Sequence, residues 1–158
     1  MENQNQPPKI LVIHGPNLNM LGQREPEVYG DTTLAEINRK LAERGVAHDL
    51  AVECFQSNHE GEIVAKIQQA AERHQGLIIN PAAYTHTSVA IRDALLLLDI
   101  PIIEVHLSNI YKRESFRRTS MTADVVTAQI SGLGAQGYLL ALTAINSLIR
   151  RPPVVTRA

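Results

Sequence analysis

Tryptophan is absent from this chain of 158 residues, cysteine occurs once, and two phenylalanines stand beside four tyrosines. A lone cysteine, Cys54, excludes an internal disulfide and a cysteine-rich zinc site, and it fits a reducing compartment such as the cytoplasm. No charge of one sign prevails. Fifteen basic against sixteen acidic side chains leave a formal charge of -1, which lacks the electrostatic footprint of a nucleic-acid binder. Long apolar runs are missing too. The greasiest segment, ALLLLDIPIIEV, is interrupted by Asp99 and Pro101, and the polar opening MENQNQPPK has no signal-peptide core, so no membrane partner is expected. Lysine is scarce, limited to Lys9, Lys40, Lys66 and Lys112.

What is present is a rhythm of strand-like and helix-like runs, with 44% hydrophobic residues to build one core. KILVIH (9–14) is a short continuous apolar run of the kind a strand buried on both faces shows. Leu34, Ile37, Leu41 and Ala42 then follow one helix face, with Asp31, Thr32 or Thr33 as cap and Gly45 as stop. DLAVECFQ (49–56) predicts a second strand. Ser57 and Glu60 have capping-box spacing ahead of Ile63, Val64, Ile67, Ala70 and Ala71, and Gly76 ends that helix. GLIIN (76–80) predicts strand three, a capped apolar helix follows over about 88–98, and IPIIEVHL (100–107) predicts strand four. VVTAQI (125–130) predicts strand five, and GLGAQG leads into a helix carrying Tyr138, Leu139, Leu142, Ile145 and Ile149. The expected domain spans 9–151, between tails at 1–8 and 152–158.

Five such repeats point to a doubly wound α/β fold, because parallel strands need crossovers that cover both faces of the sheet. Ligands in such sheets sit beyond the carboxyl ends of the strands. The unusual residues fall there: His14, Gly15, Pro16, Asn17, Arg24 and Tyr29 after strand one, Asn80 and His86 after strand three. Glu104, His106, Ser108, Arg113, Arg117 and Arg118 follow at or beyond strand four. Singly, each has a structural explanation. Asn17 can be a turn residue, His86 a helix-start decoration, His106 a satisfied core histidine, the arginines a solvated face and Tyr29 packing. Together they would require those explanations to coincide on one edge.

The chemistry open to this set is narrow. The lysines fall on predicted surfaces or strand edges, which disfavours a Schiff base. No two histidines lie at metal-ligand spacing, which disfavours a metal centre. GLGAQG has dinucleotide-motif spacing but follows the last strand and lacks the downstream acid, so it reads as a close-packed turn. Acid–base chemistry on a small carboxylate uses every group. A tyrosine base with pKa near 10 is ionised about once in a thousand at neutral pH, a handicap of about 4 kcal/mol. A neighbouring guanidinium lowers such a pKa by roughly one to three units, and Arg24 is placed to do so for Tyr29.

Four motifs carry a family resemblance: GPNLNxLGxREPxxYG, INPxAYTHTSxAxRDA, IExHLSNIxxRExFR and GxGxxGYxLAL, from Ile10 to about Ile149. In this order they resemble the type II 3-dehydroquinate dehydratases. The resemblance implies a flavodoxin-like three-layer sandwich with a five-stranded parallel sheet, and a homododecamer built as a tetramer of trimers. It also implies cofactor-free dehydration of 3-dehydroquinate to 3-dehydroshikimate, in aromatic biosynthesis or quinate catabolism. By position, Tyr29 resembles the base, and Arg24 the loop arginine that activates it. Asn17 resembles the residue that stabilises the enolate through a water, and His106 the acid, oriented by Glu104. Asn80, His86, Asp93, Leu107, Ser108, Arg113 and Arg117 match substrate-binding positions, Asp93 across a trimer contact. Ala82 and Ala83 stand where many members have glycine, so a positive φ there would be strained. His14 matches no role. The competing reading is a non-enzymatic FMN or anion-binding protein of the same fold; against FMN stand the missing tryptophan and the lack of a Ser/Thr-rich loop after strand one.

Overall fold

A computed structural model describes residues 6–23, Glu27 and 31–151. Arg24, Tyr29 and the expected tail 152–158 lie outside the described residues. Five strands, β1 (Lys9–His14), β2 (Ala51–Gln56), β3 (Gly76–Asn80), β4 (Ile102–His106) and β5 (Ala128–Ser131), form one parallel sheet in the order β2-β1-β3-β4-β5. Alternate residues of the central strands serve opposite faces, as the pleat requires. Ile10, Val12, Ile78, Ile103 and Val105 pack with helices α1 (Leu34–Ala47) and α4 (Gln136–Ile149). Leu11, Ile13, Leu77, Ile79 and Ile102 pack with α2 (Glu60–Arg73) and α3 (Val89–Leu96). That burial of both faces explains why these strands read as unbroken apolar runs. The result is the flavodoxin-like three-layer α/β sandwich the sequence predicts. No helix among the described residues is long and apolar enough to cross a membrane.

Several boundaries differ from expectation for identifiable reasons. Thr33, of the three candidates, caps α1 in a reciprocal capping box with Glu36. Gly45 does not stop α1 but lies inside it, where a Cβ would stand 2.7 Å from the Val52 side chain. The Ser57–Glu60 box does not form either. Ser57 Oγ accepts from His59 N at 2.9 Å and donates to Glu62, so the polar turn closes one residue earlier and α2 begins at Glu60. Gly76 opens β3 rather than ending α2. Residues 125–127 precede β5, since Val125 and Val126 turn into the core and Thr127 Oγ1 accepts from Ile102 N at 3.0 Å.

Helix connections diverge between β1 and β3, which lie side by side although β2 separates them in sequence. This switch point opens a crevice at the strand ends. Gly15 fits there because its N–H donates to Asn80 O at 2.8 Å, and a Cβ would meet Pro81 O at 2.6 Å.

Candidate active site

Each strand ending at the crevice delivers polar groups to it. β1 runs into Gly15-Pro16-Asn17, with Asn17 at φ 67°, ψ -4°, a left-handed conformation that asparagine tolerates better than most residues. β3 ends on buried Asn80, whose Oδ1 accepts from Ala82 N at 3.0 Å. Ala82 has φ 52°, the strained value anticipated from alanine replacing glycine. The turn continues to His86, whose Nδ1 donates to Thr119 O at 2.8 Å. Burial, with Arg117 and His106 nearby, outweighs that hydrogen bond and lowers the His86 pKa, leaving Nε2 as an acceptor at neutral pH.

β4 brings His106 over a buried carboxylate. Its Nε2 donates to Glu104 Oε2 at 3.0 Å, and Glu104 also accepts from Gln129 Nε2 and Thr122 Oγ1. Burial pushes the Glu104 carboxyl up. The His106, Thr122 and Gln129 hydrogen bonds outweigh that effect and hold it below the ordinary range. The Glu104 carboxylate fixes the His106 ring, leaving Nδ1 as the nitrogen not committed to Glu104. The glycine turn of GLGAQG supports this corner, with Gly132 N and Gly134 N donating to His106 O at 3.2 Å and Leu107 O at 2.9 Å.

These elements enclose a cavity of about 210 Å³ lined by Asn17, Asn80, His86, His106, Leu107, Ser108, Arg113 and Arg117 among other residues. Eight of the expected site residues thus share one space. Arg117 is held by Glu114 at 2.7 Å, with its guanidinium 5.1 Å from the Phe116 ring. No carboxylate lines the cavity among the described residues, and its two arginines make it suited to a small anion. Asp93 is not part of it. It lies exposed on α3. The sequence missed Leu18, Met20 and Leu21, which form an apolar wall after β1, as well as Thr122 and Gln129 behind Glu104.

A second buried group lies behind the cavity. His14 Nε2 donates to Asn38 Oδ1 at 2.8 Å, and Tyr138 OH donates to Nδ1 at 2.9 Å. Tyr138 also meets the Asn80 side chain. Burial lowers the His14 pKa to about 4, against a smaller opposing effect of the Asn38 hydrogen bond, and raises that of Tyr138. Both are neutral at pH 7.

Fold and cavity together define a flavodoxin-like α/β protein with an arginine- and histidine-lined cavity at its switch point. Residues 8–146 match the Dehydroquinase class II family, and the chain belongs to it. The 3-dehydroquinate dehydratase of Nostoc sp. is 59% identical over 140 residues, covering 89% of this chain and 95% of that protein. That of Roseiflexus castenholzii is 60% identical over 134 residues, or 85% of each chain. The type II dehydroquinase structure from Propionibacterium acnes superposes with TM-score 0.87 at 45% identity, covering 90% of this chain and 98% of that one. The one from Butyrivibrio crossotus gives 0.86 at 48%, with coverages of 87% and 97%.

Proposed function

We propose that this protein is a hydro-lyase that dehydrates 3-dehydroquinate reversibly to 3-dehydroshikimate, by anti elimination through an enolate. The observation that carries the reading is the meeting of Asn17, Asn80, His86, His106, Arg113 and Arg117 in one cavity of a family member. Tyr29, as phenolate, takes the proton alpha to the ketone, and Arg24 favours that phenolate and the charge that builds up. The C–H electrons move onto the ketone oxygen, where Asn17 stabilises the enolate through a water. When the enolate collapses, the new double bond expels the hydroxyl, and His106, oriented by Glu104, supplies the proton that lets it leave as water.

Substrate binding follows from the same groups. Arg113 and Arg117 offer cations to the carboxylate, supported by the Asn80 amide and by Leu107 and Ser108 at the end of β4. Neutral His86 accepts from a ring hydroxyl through Nε2. Asp93, exposed on α3, serves a neighbouring subunit within a trimer, and four trimers make a cytoplasmic dodecamer. The reaction needs no cofactor.

Mixing purified protein with 3-dehydroquinate should produce the absorbance of a conjugated enone, and gel filtration should give a dodecamer's size. Tyr29→Phe and His106→Ala should each abolish turnover with the fold retained, whereas Arg117→Ala should mainly raise KM. A Tyr29→Phe enzyme of near-normal rate would eliminate Tyr29 as the base. A yellow protein without dehydratase activity would favour flavin binding instead.

A further inference from the structure

The loop after β2 contributes to this edge of the sheet although its residues do not line the cavity. Asn58, in that loop, accepts the Asn17 backbone N–H at 2.9 Å and Gln56 Nε2 at 3.2 Å, both through its side-chain Oδ1. Gln56 Nε2 also donates to Gly15 O at 3.2 Å. On the other side, Tyr84 OH donates to the Asn58 carbonyl at 2.8 Å. Tyr84 belongs to the turn that joins Asn80 to His86. One asparagine therefore ties the loop after β1 to the turn after β3.

Its partner stands in a conformation that gains from being held. Asn17 occupies the left-handed region at φ 67°, which asparagine visits more readily than most L-residues but still at a cost relative to the right-handed and extended regions. A change of backbone basin there would carry the Asn17 side chain off the cavity, because the Cβ direction follows φ and ψ. We propose that Asn58 is a positioning residue for the reaction. Its Oδ1 locks residue 17 in the left-handed conformation that aims the Asn17 amide at the forming enolate, and Tyr84 anchors Asn58. The inference rests on the reading of Asn17 as the enolate-stabilising group.

In the full-length enzyme, Asn58→Leu preserves side-chain size but removes the acceptor. It should lower kcat roughly tenfold and change KM by less than about twofold, since a misplaced stabiliser acts on the transition state rather than on bound substrate. Tyr84→Phe should lower kcat in the same sense by about threefold. In an Asn17→Ala background, Asn58→Leu should add less than about a twofold loss, because the group it positions is gone. A purely structural Asn58 would instead cost as much in that background as in the wild type, and that outcome overturns the proposal. So does Asn58→Leu with wild-type kcat while Asn17→Ala is impaired, which leaves the role of Asn17 standing. Full activity of Asn17→Ala overturns both. If Asn58→Leu does not fold, Asn58→Ala and Tyr84→Phe carry the same comparison.

Discussion

Acidification isolates one buried residue. His14 is fully buried, and its pKa in the folded protein is about 4 against an ordinary 6.5. The unfolded chain therefore binds a proton that the native site refuses between these two values. Stability is complete above about pH 6.5, falls as pH drops toward 4, and levels off below it. The full loss is about 3 kcal/mol, of which about 2 kcal/mol has gone by pH 5. Carboxylates such as Glu104 and Glu53, held below their ordinary range, add their own losses at lower pH, and half-buried His86 adds in the same direction as His14. A variant that cannot charge at position 14 separates these contributions. His14→Gln keeps polar atoms for Tyr138 and Asn38 and leaves the other groups unchanged. Urea midpoints at pH 7.5 and pH 5, at fixed protein concentration, should show wild type losing about 2 kcal/mol more than His14→Gln across that interval. Equal losses in the two proteins would refute the buried neutral imidazole as their source.

Two further perturbations test the loops that frame the cavity. Ala82→Gly releases a left-handed alanine; after the added chain entropy of glycine it should stabilise by about 0.5 to 1 kcal/mol and raise Tm by roughly 1 to 4 °C, so a lower Tm contradicts the strain at φ 52°. Gly15→Ala places a methyl 2.6 Å from Pro81 O and 2.9 Å from Asn80 O, backbone atoms that no rotamer change can clear. It should cost roughly 3 kcal/mol or more in denaturant unfolding and lower kcat by separating the Asn17 and Asn80 loops; a neutral effect on both readouts argues against the close approach.

Local pattern made the architecture legible. Apolar runs such as Ile10 to Ile13 and helix faces such as Ile63, Ile67 and Ala70 record burial directly, because side-chain direction repeats every two residues in a strand and every 3.6 in a helix. Parallel strands with helical crossovers leave few topologies, and the strand-end rule then places Asn17, Asn80, His86 and His106 on one edge. Boundaries were less legible where a distant side chain decides them. Gly45 stays in its helix because Val52 packs against it, and β5 starts at Ala128 because Thr127 bonds to Ile102. Neither partner is visible in a local window.

The chain by itself thus determined which elements form, that they stack into a parallel α/β sandwich, and which residue types reach its active edge. Only tertiary structure decided how those residues are held. Thr122 and Gln129 converge on Glu104, Asn58 ties Asn17 to Tyr84, and His14 meets Tyr138 across 124 positions of sequence. Such hydrogen bonds have no periodicity to betray them. Their geometry exists only once the sheet order and the packing of its two helical layers have brought separate loops within about 3 Å of each other.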